Sequence, residues 1–148
     1  MKITHIKNAF AQNEHYVLAG RRELRGFRDH TTGIIRRYLR ISFEIGRLPS
    51  LLGREFFRAR VTSYRMTSFE DAIIFVHDVE AALESLNPFA KQLISLGVLQ
   101  GYRHYETARL LGCTLRAVQR RFPEAIDDAT EVFLRRGILK NFYVNCEK

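Results

Sequence analysis

Along the chain, apolar residues recur at steps of three and four, and strict alternation is rare; the expected fold class is therefore all-α, a helical bundle. Ile34, Tyr38, Ile41 and Ile45 mark the inner face of a helix over residues 34–45, with Arg36, Arg37 and Arg40 elsewhere on its circumference. Ser68, followed three residues later by Asp71, gives a start resembling a capping box. Phe69, Ile73, Val76, Val79, Leu83 and Leu86 then form the stripe of the next helix. Asn87 suits an N-cap and Pro88 a first helical position, so the chain restarts there. Phe89, Leu93, Leu96 and Leu99 carry this third helix toward Gly101. Elsewhere the pattern weakens. Residues 1–19 are faintly amphipathic, residues 20–33 read as a basic loop or broken helix, and 46–53 read as a turn. Residues 54–60 suggest a short helix, and 61–65 suit extended backbone.

The most informative stretch runs from Tyr105 to Phe122, YETARLLGCTLRAVQRRF. Ala108 is small enough for a second helix to cross over it. Gly112, four residues on, supplies a turn in which positive φ is often needed. Thr114 can cap the second helix. Val118 and Phe122, four apart, point inward. The opposite face then presents Arg116, Gln119 and Arg120. Arginine pairs in two-pronged fashion with guanine and glutamine with adenine, so these residues suit a helix laid in the major groove of double-stranded DNA. The expectation is a helix-turn-helix over about Arg103–Phe122. Pro123 lacks an N–H and crowds the preceding turn, which predicts a kink or end near Phe122. Residues 124–136 read as helical again, with Gly137 as the cap.

Charge sharpens this picture. The chain of 148 residues carries a net charge of +8. Residues 1–66 hold 14 Lys/Arg against 5 Asp/Glu, whereas residues 67–148 hold 10 against 11. This divides the chain into a basic N-terminal helical region, 1–66, and an acidic helix plus helix-turn-helix domain, 67–148, two regions able to pack as one unit. The basic half is expected to dock on the acidic helix. Arg21, Arg22, Arg25 and Arg28 are then expected to remain free to touch phosphates, together with Arg103.

Other chemistry is sparse. Cys113 and Cys146 are too few for a disulfide framework, and the five histidines are scattered, so no metal and no cofactor are expected. Cys113 reads as core. The paired acids Asp127-Asp128 and Asp78-x-Glu80 read as solvated helix faces. Phe56, Phe57 and Tyr64, interleaved with arginines, have the look of a platform for single strands, although burial is the commoner cause of such aromatics. No nucleophile elbow, phosphate loop or metalloprotease motif occurs, so the chain is not expected to be an enzyme. With no apolar run of membrane-spanning length and no signal-type stretch, a cytoplasmic setting without membrane association is expected.

From Leu86 to about Leu134 the chain resembles the fourth conserved region of bacterial sigma factors, the C-terminal promoter-reading domain. The matching residues are Leu86 and Pro88, the apolar helix around Leu93 and Leu96, Gln100-Gly101, Glu106 with Ala108, Leu111-Gly112-Cys113-Thr114, Val118, and Arg121-Phe122. The resemblance implies that Thr114, Leu115, Arg116, Gln119 and Arg120 lie against DNA, and that a surface is able to touch RNA polymerase. The chain departs from that family at Thr107, where an aliphatic is usual, at His104-Tyr105, and at Pro123. Residues 1–85 do not resemble the region that grips polymerase and melts the promoter. The expected function is DNA-binding transcription regulation. The alternatives are an adaptor that binds polymerase or another regulator without reading DNA, and a DNA-binding part of a recombination or replication system. A homodimer would compensate for the limited affinity of a single reading helix.

Overall fold

Local signals set most of the helix boundaries. Ser68 Oγ accepts the N–H of Asp71 at 3.0 Å. Asn87 Oδ1 accepts that of Ala90 at 2.8 Å, with Pro88 in the first turn. Thr114 Oγ1 accepts that of Ala117 at 3.2 Å. The computed structural model describes residues 24–47, 49–52 and 68–139. They form helices α1 (Arg28–Glu44), α2 (Phe69–Glu84), α3 (Pro88–Ile94), α4 (His104–Leu111) and α5 (Leu115–Arg135). Short 3-10 turns, Arg25–Phe27 and Ser50–Leu52, flank α1. The described residues contain no strand, and the chain is all-α. No described helix is long and apolar enough to cross a membrane.

The central element is α5, which packs against each of the other four helices. Val118, Ala125, Ile126, Ala129 and Phe133 are its buried apolar residues. They join Ile35, Tyr38, Val76, Val79, Leu83, Leu93 and Ile94 in one core. A helix from the basic half therefore shares its core with the helices that follow residue 67.

Three local expectations are corrected. First, of the loop or broken helix expected over residues 20–33, the described part is helical: behind the 3-10 turn Arg25–Phe27, α1 begins at Arg28. Gly33 lies within it on an exposed side, where a glycine costs about 1 kcal/mol relative to alanine. Burial of Thr31 and Ile35 on either side offsets that cost. The inner face is Thr31, Ile35, Tyr38, Ile41 and Ser42, while Ile34 and Ile45 are only half-buried. Two of its members are polar, so a search for apolar residues alone misplaces the face.

Second, α2 is rotated. Ala72, Val76, Val79, Ala82 and Leu83 face inward, and Phe69 and Ile73 are exposed. The rotation follows Glu80, which is turned in to accept hydrogen bonds from Tyr38 Oη at 3.2 Å, Arg47 Nη2 at 2.6 Å and the Ser50 N–H at 3.1 Å.

Third, of the kink or end expected near Phe122, the end does not occur: α5 continues through Pro123 to Arg135. Residues anchored on both sides of the proline, Val118 and then Ala125 and Ile126, hold the helix together across the missing hydrogen bond.

After α3 the chain widens into a π-helical turn, Ser95–Leu99, with Gln100 N–H donating to Ser95 O at 3.0 Å. Gly97 sits in this turn because the Phe122 ring lies against it. A Cβ there would fall 2.3 Å from Phe122 Cε2.

The expected segments 1–19, 54–60 and 61–65, the aromatics Phe56, Phe57 and Tyr64, and Cys146 lie outside the described residues.

Candidate functional site

The α4–α5 pair is organised by its turn. Gly112 adopts a φ of 64°. Its N–H donates to Arg109 O at 3.3 Å, and the Cys113 N–H donates to Ala108 O at 3.0 Å, the double closure of a Schellman ending. Thr114 then caps α5. Ala108 is buried and Val118 wholly so, as a close crossing of the two helices requires. Cys113 is a free, half-buried thiol packed against the core. Phe122 is half-buried between Gly97 and His104, whose ring centroid lies 4.9 Å away.

Because Val118 and Phe122 face inward, helical periodicity turns Leu115, Arg116, Gln119 and Arg120 outward together. All four are exposed, as is Thr114, and Leu115 retains 42% of its surface. Among the described residues, Arg116, Gln119 and Arg120 have no ion pair and no side-chain hydrogen bond. Arg121, by contrast, pairs with Glu124 at 3.1 Å. Between residues 101 and 123 the chain carries five arginines and one carboxylate, Glu106. That carboxylate is engaged locally: Glu106 Oε2 accepts the Arg103 N–H at 2.8 Å, and Oε1 accepts the Tyr105 hydroxyl at 3.3 Å. The Arg103 and Arg109 side chains are exposed. The exposed strip of α5 thus combines two guanidinium groups, a carboxamide and an aliphatic side chain.

The basic N-terminal residues divide. Arg21 and Arg22 lie outside the described residues, and Arg25 is exposed on the 3-10 turn ahead of α1. Arg28 is not free. Its Nε and Nη2 donate to the two carboxylate oxygens of Asp127 at 2.7 and 2.6 Å. Asp127 holds the Arg28 guanidinium above its ordinary pKa, chiefly through this hydrogen bonding, against the opposing effect of burial. One turn further along both helices, Thr31 Oγ1 and Thr130 Oγ1 are 2.7 Å apart, and Thr130 also donates to Ile126 O.

Sequence reasoning passed over two of these groups. Asp127 and Glu80, expected on solvated faces, are both buried. For Asp127 the available signal was its place between Ile126 and Thr130, on the inner side of a helix whose Ala129 and Phe133 are core. Around Glu80, Tyr38 is also affected. Burial and then the adjacent carboxylate push its phenol well above the usual range. Glu84 is held below the usual carboxylate range by the Ser50 hydroxyl, which donates to it at 2.7 Å, and by Lys91 at 3.1 Å.

A cavity of about 480 Å³ lies beside this last group, lined by Ser50, Leu51, Lys91, Ser95 and Leu110 among others. Four of its polar members are engaged: Ser50 and Lys91 with Glu84, and Ser95 Oγ with Leu51 O at 3.0 Å. They cross-link the 3-10 turn to α2 and to the π-helical turn, and α3 to α2. Among the described residues, no group of His, Cys, Asp and Glu could hold a metal ion. No protein-family model, no curated protein and no solved structure matches this chain.

Proposed function

We propose that the protein is a DNA-binding transcription regulator in which α4 and α5 act as a helix-turn-helix, with the first half of α5 lying in the major groove. The observation that carries the reading is the exposed strip Leu115, Arg116, Gln119 and Arg120, directly behind a buried Val118 at a tight helix crossing. Arg116 and Arg120 suit the O6/N7 edge of guanine, and Gln119 suits the N6/N7 edge of adenine. Arg103, which precedes the supporting helix, and Arg109 on it are exposed cations suited to phosphates. Such a module would use a second copy or a tether to RNA polymerase to reach useful affinity. The resemblance of residues 86–134 to the promoter-reading sigma domain supports the transcriptional setting.

The test is titration of the full chain with duplex DNA at several salt concentrations. Binding should weaken linearly in log–log form as phosphate contacts release counterions. Arg116→Ala should cost about 1–3 kcal/mol of binding and relax preference at one base pair. Undiminished affinity in both Arg116→Ala and Arg120→Ala, with helicity intact, would refute the reading.

A second reading, an adaptor for polymerase, draws on Tyr105, Leu110 and Leu115, which are 49%, 58% and 42% exposed near the same arginines. It requires polymerase capture without duplex binding.

A further inference from the structure

Resting on the DNA-reading proposal, we infer that Leu115 is a specificity residue that reads the 5-methyl group of a thymine. Leu115 opens α5 directly after the Thr114 cap, the end of a recognition helix that reaches deepest toward base edges. It lies one helical turn before Gln119, so the two side chains share one side of the strip. An isolated exposed leucine needs no explanation. This one, however, is bounded along the helix by Arg116, Gln119 and Arg120, which are all exposed and polar.

Of the groups on a base pair's major-groove edge, the thymine methyl is the apolar one, and it is the group an aliphatic side chain can discriminate. Adenine's edge suits the carboxamide of Gln119. An A·T pair, or neighbouring A·T pairs, can therefore be read from both strands by two residues one turn apart. The strip carries no carboxylate, the usual acceptor for the cytosine amino group. Its chemistry accordingly favours guanine, adenine and thymine methyl over direct contact with cytosine.

The experiment begins with duplexes selected from a random-sequence pool by the full chain. In the preferred duplex each thymine is replaced singly by deoxyuridine, which removes the methyl and leaves every hydrogen-bonding group in place. At the position facing Leu115, the wild-type protein should bind about fourfold more weakly, the equivalent of roughly 0.8 kcal/mol for one methyl group. Leu115→Ala should bind thymine and deoxyuridine duplexes alike at that position, while Leu115→Met should keep the preference. Because Leu115 is 42% exposed, these variants should retain the fold, which circular dichroism verifies. Equal affinity for all deoxyuridine duplexes, or an undiminished methyl preference in Leu115→Ala, overturns this inference alone. A pool from which no duplex is enriched overturns it together with the DNA-reading proposal.

Discussion

The two halves of α5 are built from similar letters and do opposite things. From Leu115 to Phe122 the helix keeps Val118 and Phe122 for its neighbours and turns its polar side chains to solvent. From Ala125 to Phe133 it buries polar and apolar groups alike: Asp127 takes a bidentate arginine and Thr130 shares a hydrogen bond with Thr31. The first half presents chemistry, whereas the second fixes the helix in the bundle. A polar residue on a helix thus has no meaning of its own. For Asp127 and Thr130 what decides is that another element arrives to satisfy them, since an unsatisfied buried group costs about 1–3 kcal/mol and a charged one more.

Four substitutions would break or sharpen that contrast. Ala108→Glu should act most strongly, because it places an unpaired carboxylate at the α4–α5 crossing. A loss of about 4 kcal/mol is expected, read as a collapse of the denaturant midpoint. A normal midpoint would mean that the helices do not cross there. Next, Arg28→Ala should cost about 3 kcal/mol, because Asp127 is left buried without its counter-charge. Chemical denaturation measures this, and a change below about 0.5 kcal/mol would show the distal half to be held without the pair. Thr114→Ala removes one cap and should cost about 1 kcal/mol, seen as a fall of a few degrees in Tm. Arg120→Ala should be the mildest, within about 0.5 kcal/mol in stability. A large loss in that variant would mean that the proximal face is engaged with the rest of the fold, and the division of α5 would fail.

The proximal half, with the caps and the turn that lead up to it, was also the more legible part. Asn87, Ala108, Gly112, Thr114 and Val118 act on partners within a few residues or at fixed helical spacing, so their roles can be read from the chain itself. The exposed strip follows from the same periodicity. The distal half could not be read in this way. Asp127 and Thr130 depend on Arg28 and Thr31, each 99 positions away in sequence. Glu80 depends on Tyr38, Arg47 and Ser50, which sets the rotation of α2 and leaves Phe69 and Ile73 outside. For the same reason Pro123 does not end α5. Its local cost is real, but packing on both sides of it outweighs the local preference. Arg28 departs from the expected free cation because an arginine beside glycines has the composition of a solvated arm, whatever waits for it in the fold.

The two helix starts in the α4–α5 pair also differ in sign. A helix carries partial positive charge at its amino end. At α4 the N-cap is Arg103, and the Glu106 carboxylate folded back over that end offsets its positive charge. At α5 the cap is the uncharged Thr114 hydroxyl, no acid lies in the first turn, and Arg116 adds its own charge. The pair is therefore electrically polarised, partly neutralised at one amino end and reinforced at the other. The result is a gradient of potential, more positive at the start of α5 than at the start of α4. Exchanging the charges, with Glu106→Gln and Thr114→Asp, would reverse that gradient while both helices kept a capping side chain.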